Sequence, residues 1–163
     1  MSFLTTLHLA KQNFKFSAAH FLIFNDHEAE RLHGHNYKVR VEIDCPSDQG
    51  EDGYFVDFNV LKKTIKSKLD EWDERVILPE RHKDIRVDLK PPSLHLTFRD
   101  RVYTFPANEV VLLPVTNTSV EQLSGLLAEI FMKEFSKFNI TKIRLNVEES
   151  EGQGAWAEIS KKV

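Results

Sequence analysis

A run of strictly alternating residues near the start of the chain constrains the fold most. From Tyr37 to Asp44, apolar or aromatic residues alternate with charged ones. This period of two predicts a β-strand with one face in a core and the other in water. The same alternation occurs at 14–19, at 142–149 and again near 155–159. The chain is therefore predicted to form an antiparallel sheet of four strands with one buried face.

Two other stretches carry apolar residues at helical intervals. The first follows Asp57, which is predicted to be the N-cap of a helix. The second follows Thr118, which together with Glu121 fits a capping box. Each stretch has an apolar stripe, so both helices are predicted to pack on the same face of the sheet. The stripes consist of residues 58, 61, 65, 69 and 72 in the first helix, and 120, 123, 127, 130, 131 and 135 in the second.

Residues 79–116 separate the two predicted helices. Short alternating runs lie on either side of Pro91-Pro92, and a structureless loop of this length is uncommon in a compact domain. We therefore predict a small β insertion, a hairpin or a meander, rather than a second domain. The order of elements predicts an α+β fold, with residues 1–163 forming one domain.

Composition excludes several classes of function. The net charge of −3 provides no basic field for nucleic acid or an anionic membrane. The single cysteine, Cys45, excludes an internal disulfide framework and suits a reducing compartment. The first residues contain no long apolar run, so no signal peptide or membrane span is expected. A cytoplasmic protein without nucleic-acid or membrane partners is the default prediction.

Three histidines share the parity of the core-facing residues. His20 continues the first alternating strand, and His33 and His35 precede the run that begins at Tyr37. Histidines at i and i+2 of a strand point to the same face, so a third one on a neighbouring strand would complete a cup of imidazoles. Three such ligands suit Zn²⁺ and leave a fourth position open for substrate. Two histidines at this spacing are often plain strand residues, but three buried ones need a partner, which favours the metal.

Acidic residues stand at further positions of interest. Glu149 falls on the apolar side of a strand, where a carboxylate is costly unless it is paired. A planar ligand rich in N–H groups, such as a pterin or a purine, would pair with it; a strand-end glutamate, or one paired with an arginine, is the slightly commoner case. Asp73 and Glu74 follow the first helix and are typical of a solvated helix end. The charged loop 26–31 lies between the candidate metal ligands.

Taken in order, five segments of the chain form a specific pattern. The chain resembles the 6-pyruvoyltetrahydropterin synthase / 6-carboxytetrahydropterin synthase family, which has the tunnelling fold (T-fold). The resemblance covers nearly the whole chain except the 79–116 insertion. The segments that carry it are 16–20 (FSAAH), 32–37 (LHGHNY), 53–62 (GYFVDFNVLK), 117–121 (NTSVE) and 147–150 (VEES).

The resemblance implies a function and a set of site residues. It implies that His20, His33 and His35 ligate Zn²⁺, that Glu149 anchors a pterin ring, and that Ser119 lies near the ligand. The substrate implied is a small-molecule dihydropterin such as 7,8-dihydroneopterin triphosphate. The metal would polarise oxygens of the substrate side chain. The assembly implied is a homohexamer made from two trimers, with sites between subunits.

Two positions depart from the family pattern. The family has a catalytic cysteine four residues before His-Gly-His, where this chain has Ala29. A subgroup has glutamate there, whereas here a glutamate stands on either side. After the first helix the family has Leu-Asp-His, and this chain has Trp-Asp-Glu at 72–74. Asp73 keeps the aspartate of the family's proton-transfer apparatus. We expect Glu28, Glu30, Glu74 or His27 to take over from the missing cysteine and histidine.

Three functions remain open at this point. The first is a zinc-dependent lyase-type enzyme acting on a dihydropterin, with a product that need not be the family's usual one. The second is a zinc- and pterin-binding module without catalysis, which the missing cysteine and histidine favour. The third is a T-fold enzyme acting on another purine-like substrate, because a glutamate can grip either ring system. The intact cup and anchor favour the first.

Overall fold

The computed structural model describes residues 4–46 and 51–161. Within these residues the chain forms ten β-strands, two α-helices and one short 3-10 turn. The strands are β1 Thr5–Leu9, β2 Lys15–His20, β3 His33–Cys45, β4 Arg75–Pro79, β5 Ile85–Lys90, β6 Ser93–Phe98, β7 Arg101–Pro106, β8 Val110–Leu113, β9 Lys142–Ser150 and β10 Gln153–Ser160. The helices are α1 Phe58–Asp70 and α2 Val120–Glu134, and the 3-10 turn is Ala107–Glu109.

The long strand β3 is the centre of the main sheet. The sheet order is β10-β9-β3-β2-β4-β8, and β1 also pairs with β3. Strands β1 and β2 share one side of β3: Thr5 pairs with Cys45 at one end, and His20 pairs with His33 at the other. Strand β9 pairs antiparallel along the opposite side of β3. Two of the three histidines singled out above are therefore direct partners across two strands.

The predicted α+β class with two helices on one face is confirmed, but the sheet has seven strands rather than four. Strands β1, β4 and β8 were not predicted. Strand β4 runs parallel to both β2 and β8, so the sheet is mixed. Its last three residues, Ile77, Leu78 and Pro79, are all buried. A strand that is buried on both faces does not alternate between apolar and polar residues. Strand β4 therefore lacks the pattern from which strands are predicted.

The two helices cover the core-facing side of the sheet. Asp57 caps α1 as predicted, because its side chain accepts a hydrogen bond from the backbone N–H of Asn59. The predicted capping box at Thr118 and Glu121 is wrong: Ser119 is the N-cap of α2 and accepts from the N–H of Gln122. The Thr118 hydroxyl binds elsewhere, as described below. Neither helix of the described part is long and apolar enough to cross a bilayer.

The insertion forms a three-stranded antiparallel sheet of β5, β6 and β7, hereafter the meander. This agrees with the prediction of a small β element. The meander has its own apolar cluster, in which Leu94, Leu96 and Phe98 are buried together with Phe21 and Ile23 of the segment after β2. The meander therefore packs against the loop that joins β2 to β3, and this loop contains the acidic candidates of 26–31.

Candidate metal centre and catalytic site

The ends of β2 and β3 bring three histidines together. His20 is the last residue of β2, His33 is the first of β3, and His35 follows two residues later on the same face. One ring nitrogen from each of these histidines lies within 4.8 Å of the other two. His20 is fully buried, and the other two are half-buried. The period of two in both strands produces this cluster, as the sequence predicts.

Backbone carbonyls orient two of these rings. Nδ1 of His20 lies 3.1 Å from the carbonyl oxygen of Thr118, and Nδ1 of His33 lies 2.8 Å from that of Arg31. A carbonyl can only accept, so in each ring Nδ1 carries the hydrogen and donates it. In the neutral form of such a ring, the lone pair is then on Nε2. This is the arrangement in which a protein fixes the tautomer of a metal-binding histidine.

The Nε2 atoms of the three histidines fit a divalent cation. Nε2 of His20 is buried and has no hydrogen-bond partner among the described residues. Nε2 of His33 and Nε2 of His35 are 2.9 Å apart. Two lone pairs cannot approach so closely unless a proton or a cation lies between them. Burial lowers the pKa of His20 to about 4, so this ring is neutral at neutral pH and its lone pair is available. Three imidazoles with one open position suit Zn²⁺.

Glu30 is the acidic residue that reaches this cluster. One carboxylate oxygen, Oε2, lies 3.7 Å from Nε2 of His33. The same oxygen accepts a hydrogen bond of 3.0 Å from the backbone N–H of Leu22, and the Glu30 N–H donates to the Leu22 carbonyl at 2.8 Å. These contacts hold both the main chain and the side chain of Glu30 against the segment that follows His20. A carboxylate beside a metal cup can act as a general base.

The other candidates of this loop have no contact with the three histidines among the described residues. Glu28 is exposed, and its carboxylate accepts from the side-chain amide of Asn25 at 3.1 Å. His27 is also exposed, and its backbone N–H binds the side-chain oxygen of Asn25. Both residues belong to a turn closed by Asn25, so their contacts are internal to the loop.

Glu149 lies one strand away from the cup. Lys38 of β3 pairs with Glu148 of β9, so Glu149 follows at the level of Tyr37, two residues from His35. Glu149 is half-buried, and none of the hydrogen bonds or ion pairs seen in the described residues involves its carboxylate. The arginine of this region, Arg40, binds Glu148 at 2.8 Å instead. The alternative of an arginine partner for Glu149 is therefore not observed.

Tyr37 lies beside His35 and at the level of Glu149. Its ring stacks on Phe16 with centroids 4.7 Å apart and lies 5.7 Å from the ring of His35. Burial, and then the negative charges of Glu149 and Glu30, raise the pKa of Tyr37 well above its usual value. The phenol therefore stays protonated. Both carboxylates therefore act electrostatically on the same buried phenol.

Known proteins are similar to this chain over most of its length. The family model for 6-pyruvoyl tetrahydropterin synthase matches residues 9–161. The chain belongs to this family. A Methanocaldococcus jannaschii protein, provisionally named a 6-carboxy-5,6,7,8-tetrahydropterin synthase, is 31% identical over 144 residues, which cover 86% of this chain and 87% of that protein. The 6-carboxy-5,6,7,8-tetrahydropterin synthase of Rickettsia bellii is 28% identical, over 80% of this chain and 87% of its own.

Solved structures of the 6-pyruvoyl tetrahydropterin synthase family share the fold. The Plasmodium vivax protein superposes with a TM-score of 0.87 at 25% identity, covering 97% of this chain and 99% of its own. The Plasmodium falciparum protein superposes with a TM-score of 0.84 at 26% identity, covering 99% of this chain and 100% of its own. In a variant of the P. vivax protein, a glutamate described as a catalytic residue is replaced by alanine. This variant superposes with a TM-score of 0.88 at 24% identity, covering 97% of this chain and 99% of its own. The T-fold expected from the resemblance is therefore confirmed.

The positions that depart from the 6-pyruvoyl tetrahydropterin synthase pattern lie in different places. Ala29 forms an isolated bridge with Ile23 and packs against the apolar cluster of the meander. Asp73 accepts from the backbone N–H of Ser17 at 2.7 Å, and the Glu74 N–H donates to the Ser17 carbonyl. Ser17 precedes His20 by three residues, roughly 10 Å along a strand. Within one chain, the contacts of Asp73 and Glu74 are therefore with β2 rather than with the cup, and their catalytic roles stay predictions.

Thr118 contacts the histidine cluster in a way that the sequence did not reveal. Its carbonyl holds His20, and its hydroxyl donates to the Phe21 carbonyl at 3.2 Å and lies 3.3 Å from Nδ1 of His20. A threonine before a helix is equally typical of an N-cap, so no sequence signal separates the two roles. The next residue, Ser119, is the cap itself. Its predicted contact with a ligand stays a prediction.

Proposed function

We propose that this protein is a zinc-dependent lyase-type enzyme acting on a dihydropterin such as 7,8-dihydroneopterin triphosphate. His20, His33 and His35 hold the metal, Glu149 anchors the pterin, and Glu30 is the general base. The observation that carries the proposal is the position of the Glu30 carboxylate, 3.7 Å from Nε2 of His33 at the edge of the histidine cluster. The relatives named as tetrahydropterin synthases support the substrate class.

Each residue has a distinct part in this scheme. Zn²⁺, when bound, polarises hydroxyl and carbonyl oxygens of the substrate side chain and acidifies the neighbouring C–H and O–H groups. Glu30 takes the proton, because it is the only acidic candidate of the 26–31 loop in contact with a cup histidine. A glutamate is also described as a catalytic residue of the P. vivax protein, which is consistent with a carboxylate in this role.

Glu149 supplies recognition rather than chemistry. A carboxylate accepts two parallel hydrogen bonds from a planar ring that carries adjacent N–H groups, and such charge-assisted bonds are strong. Its half-buried position beside Tyr37 suits this role, since nearby apolar groups protect the bonds from water. A purine could offer a similar edge, so the choice of a dihydropterin rests on the family.

The test is turnover of 7,8-dihydroneopterin triphosphate by zinc-loaded protein, with products identified by mass spectrometry. We expect turnover, and we expect Glu149→Gln to raise KM about 10- to 100-fold, because a hydrogen bond to a charged group contributes about 1.5–3 kcal/mol. Glu148→Gln is the matched control, since Glu148 pairs with Arg40 on the opposite face, and its KM should stay close to that of the wild type.

Two outcomes would replace the proposal with its alternatives. Stoichiometric dihydropterin binding by calorimetry without any product, across several dihydropterins, would identify a binding module without catalysis. Failure to bind dihydropterins, together with binding of purine compounds that depends on Glu149, would identify a T-fold enzyme or binder for another ring system.

We also propose that the chain assembles into a homohexamer of two trimers, as the family resemblance implies. Strand β10 lies at one edge of the main sheet, and its Trp156 side chain is 52% exposed. Open edges of this kind need covering. Sedimentation equilibrium should give six times the 18.9 kDa mass of one chain, and a monomeric mass at micromolar concentration would contradict the assembly.

A further inference from the structure

The β6–β7 turn of the meander contacts the main chain of the Glu30 loop. Two guanidinium nitrogens of Arg101 donate to neighbouring carbonyls, one to Glu30 and one to Ala29 at 3.1 Å. Arg99, two residues earlier, donates to the carbonyl of Asn25 at 2.6 Å. Arg99 of the turn and Arg101 at the start of β7 therefore bind three carbonyl oxygens of one loop, and none of these oxygens belongs to a regular strand pair.

The turn that supplies these arginines is itself anchored. Nε of Arg99 donates to Oδ2 of Asp84 at 3.0 Å. The guanidinium carbons of Arg99 and Arg101 lie 4.6 and 5.7 Å from the ring centroid of Phe98, which is buried. Phe98 in turn lies 5.3 Å from the ring of Phe21, which follows His20 directly. The loop and the turn therefore share one apolar cluster, and the arginines sit on its rim.

Glu30 is held from two sides as a result. Its N–H and its carboxylate bind the backbone of Leu22, while its carbonyl binds Arg101. The Leu22 contacts do not involve the carbonyl of Glu30. Arg101 holds this carbonyl and that of Ala29, so the peptide groups on both sides of the Glu30 Cα are anchored.

We propose that Arg101 is a positioning residue for the Glu30 carboxylate, so that the meander takes part in the reaction without touching substrate. The inference rests on the proposed function, in which Glu30 is the base. A displacement of about 1 Å at a reacting group can cost about 100-fold in rate, so a contact that fixes the Glu30 peptide has a measurable effect. Arginine suits the task because its planar fork binds two acceptors at once, which lysine cannot reproduce.

The first experiment measures kcat and KM with 7,8-dihydroneopterin triphosphate. Arg101→Ala should lower kcat at least about tenfold, with unchanged KM and unchanged zinc content, and Arg101→Lys should restore only part of it. The matched control is Arg86→Ala, since Arg86 is exposed on β5 of the same meander. In the Glu30→Gln background, Arg101→Ala should have no further effect on kcat, because Arg101 acts through Glu30.

A second measurement does not depend on turnover. In hydrogen exchange, the amides of Leu22 and Glu30 should exchange faster in Arg101→Ala than in the wild type, and at the wild-type rate in Arg86→Ala. Unchanged exchange in Arg101→Ala overturns the inference. A second result would also overturn it: Arg101→Ala keeps the wild-type kcat while Glu30→Gln loses turnover. That result leaves the proposed function intact. A wild-type kcat in Glu30→Gln instead overturns the role of Glu30 and the inference with it.

Discussion

Replacing His20 by alanine should abolish both metal binding and turnover. The side chain is fully buried, its Nδ1 is held by the Thr118 carbonyl, and its Nε2 has no hydrogen-bond partner in the described part of the chain. A buried nitrogen without a partner is costly, and a bound cation removes that cost. Two histidines would remain, one fewer than the three protein ligands typical of a catalytic zinc site. Zinc per chain, measured by elemental analysis after dialysis, should fall from about one in the wild type to near zero.

A matched histidine separates this effect from a general loss of structure. His8 lies on β1, and its side chain is 58% exposed beside Glu42. His8→Ala should keep its zinc and its turnover. Because a buried substitution can also unfold a protein, His35→Ala is the companion variant: His35 is half-buried, and it should lose zinc with its circular dichroism unchanged. A His35→Ala protein that keeps one zinc per chain would contradict the three-histidine site.

Replacing Glu30 by glutamine should lower kcat by about 10²–10⁴-fold, the usual contribution of a general base. Glutamine keeps the size of the side chain and an oxygen that can accept from the Leu22 N–H, but it cannot take a proton. Zinc content should not change, because Glu30 lies beside His33 rather than in the cluster of three. Single-turnover measurements on zinc-loaded protein would show the loss in the chemical step.

Glu28→Gln provides the comparison for this result. The two glutamates are two residues apart in one loop, but Glu28 is exposed and binds Asn25. Its replacement should leave kcat within a few-fold of the wild type. The reverse pattern, an active Glu30→Gln and an inactive Glu28→Gln, would mean that the loop rearranges on binding substrate and that the base is Glu28.

The sequence predicted the parts of the site that depend on strand periodicity. His20, His33 and His35 share the parity of Phe16 and Tyr37, and this alone places them on one face at the ends of two strands. The position of Glu149 on the same face follows from the same rule. Asp57 was identifiable as a cap because a helix N-terminus needs a local acceptor. In each case the sequence pattern and the structural feature that it predicts involve the same few residues.

The parts that the sequence did not predict depend on contacts between distant segments. Glu28 and Glu30 have similar neighbours along the chain, and only the folded loop shows that one binds Leu22 while the other binds Asn25. From the sequence, Thr118 resembles a capping residue. Only the folded structure shows that its carbonyl contacts His20, which lies 98 positions earlier. Strand β4 lacks alternation because it is buried on both faces. No local pattern encodes these relations.

The parallel pairing of β4 and β8 has a consequence for any attempt to shorten this protein. Val76 pairs with Val110 and Pro79 with Leu113, so both strands run in the same direction. A tight turn can only reverse a chain, and a parallel neighbour requires a crossover connection of a dozen residues or more. The meander provides that connection in place of the helix that usually does so. Deleting it and closing the gap with a short linker would therefore leave β8 unable to return to the start of β4, and the sheet would end at β4.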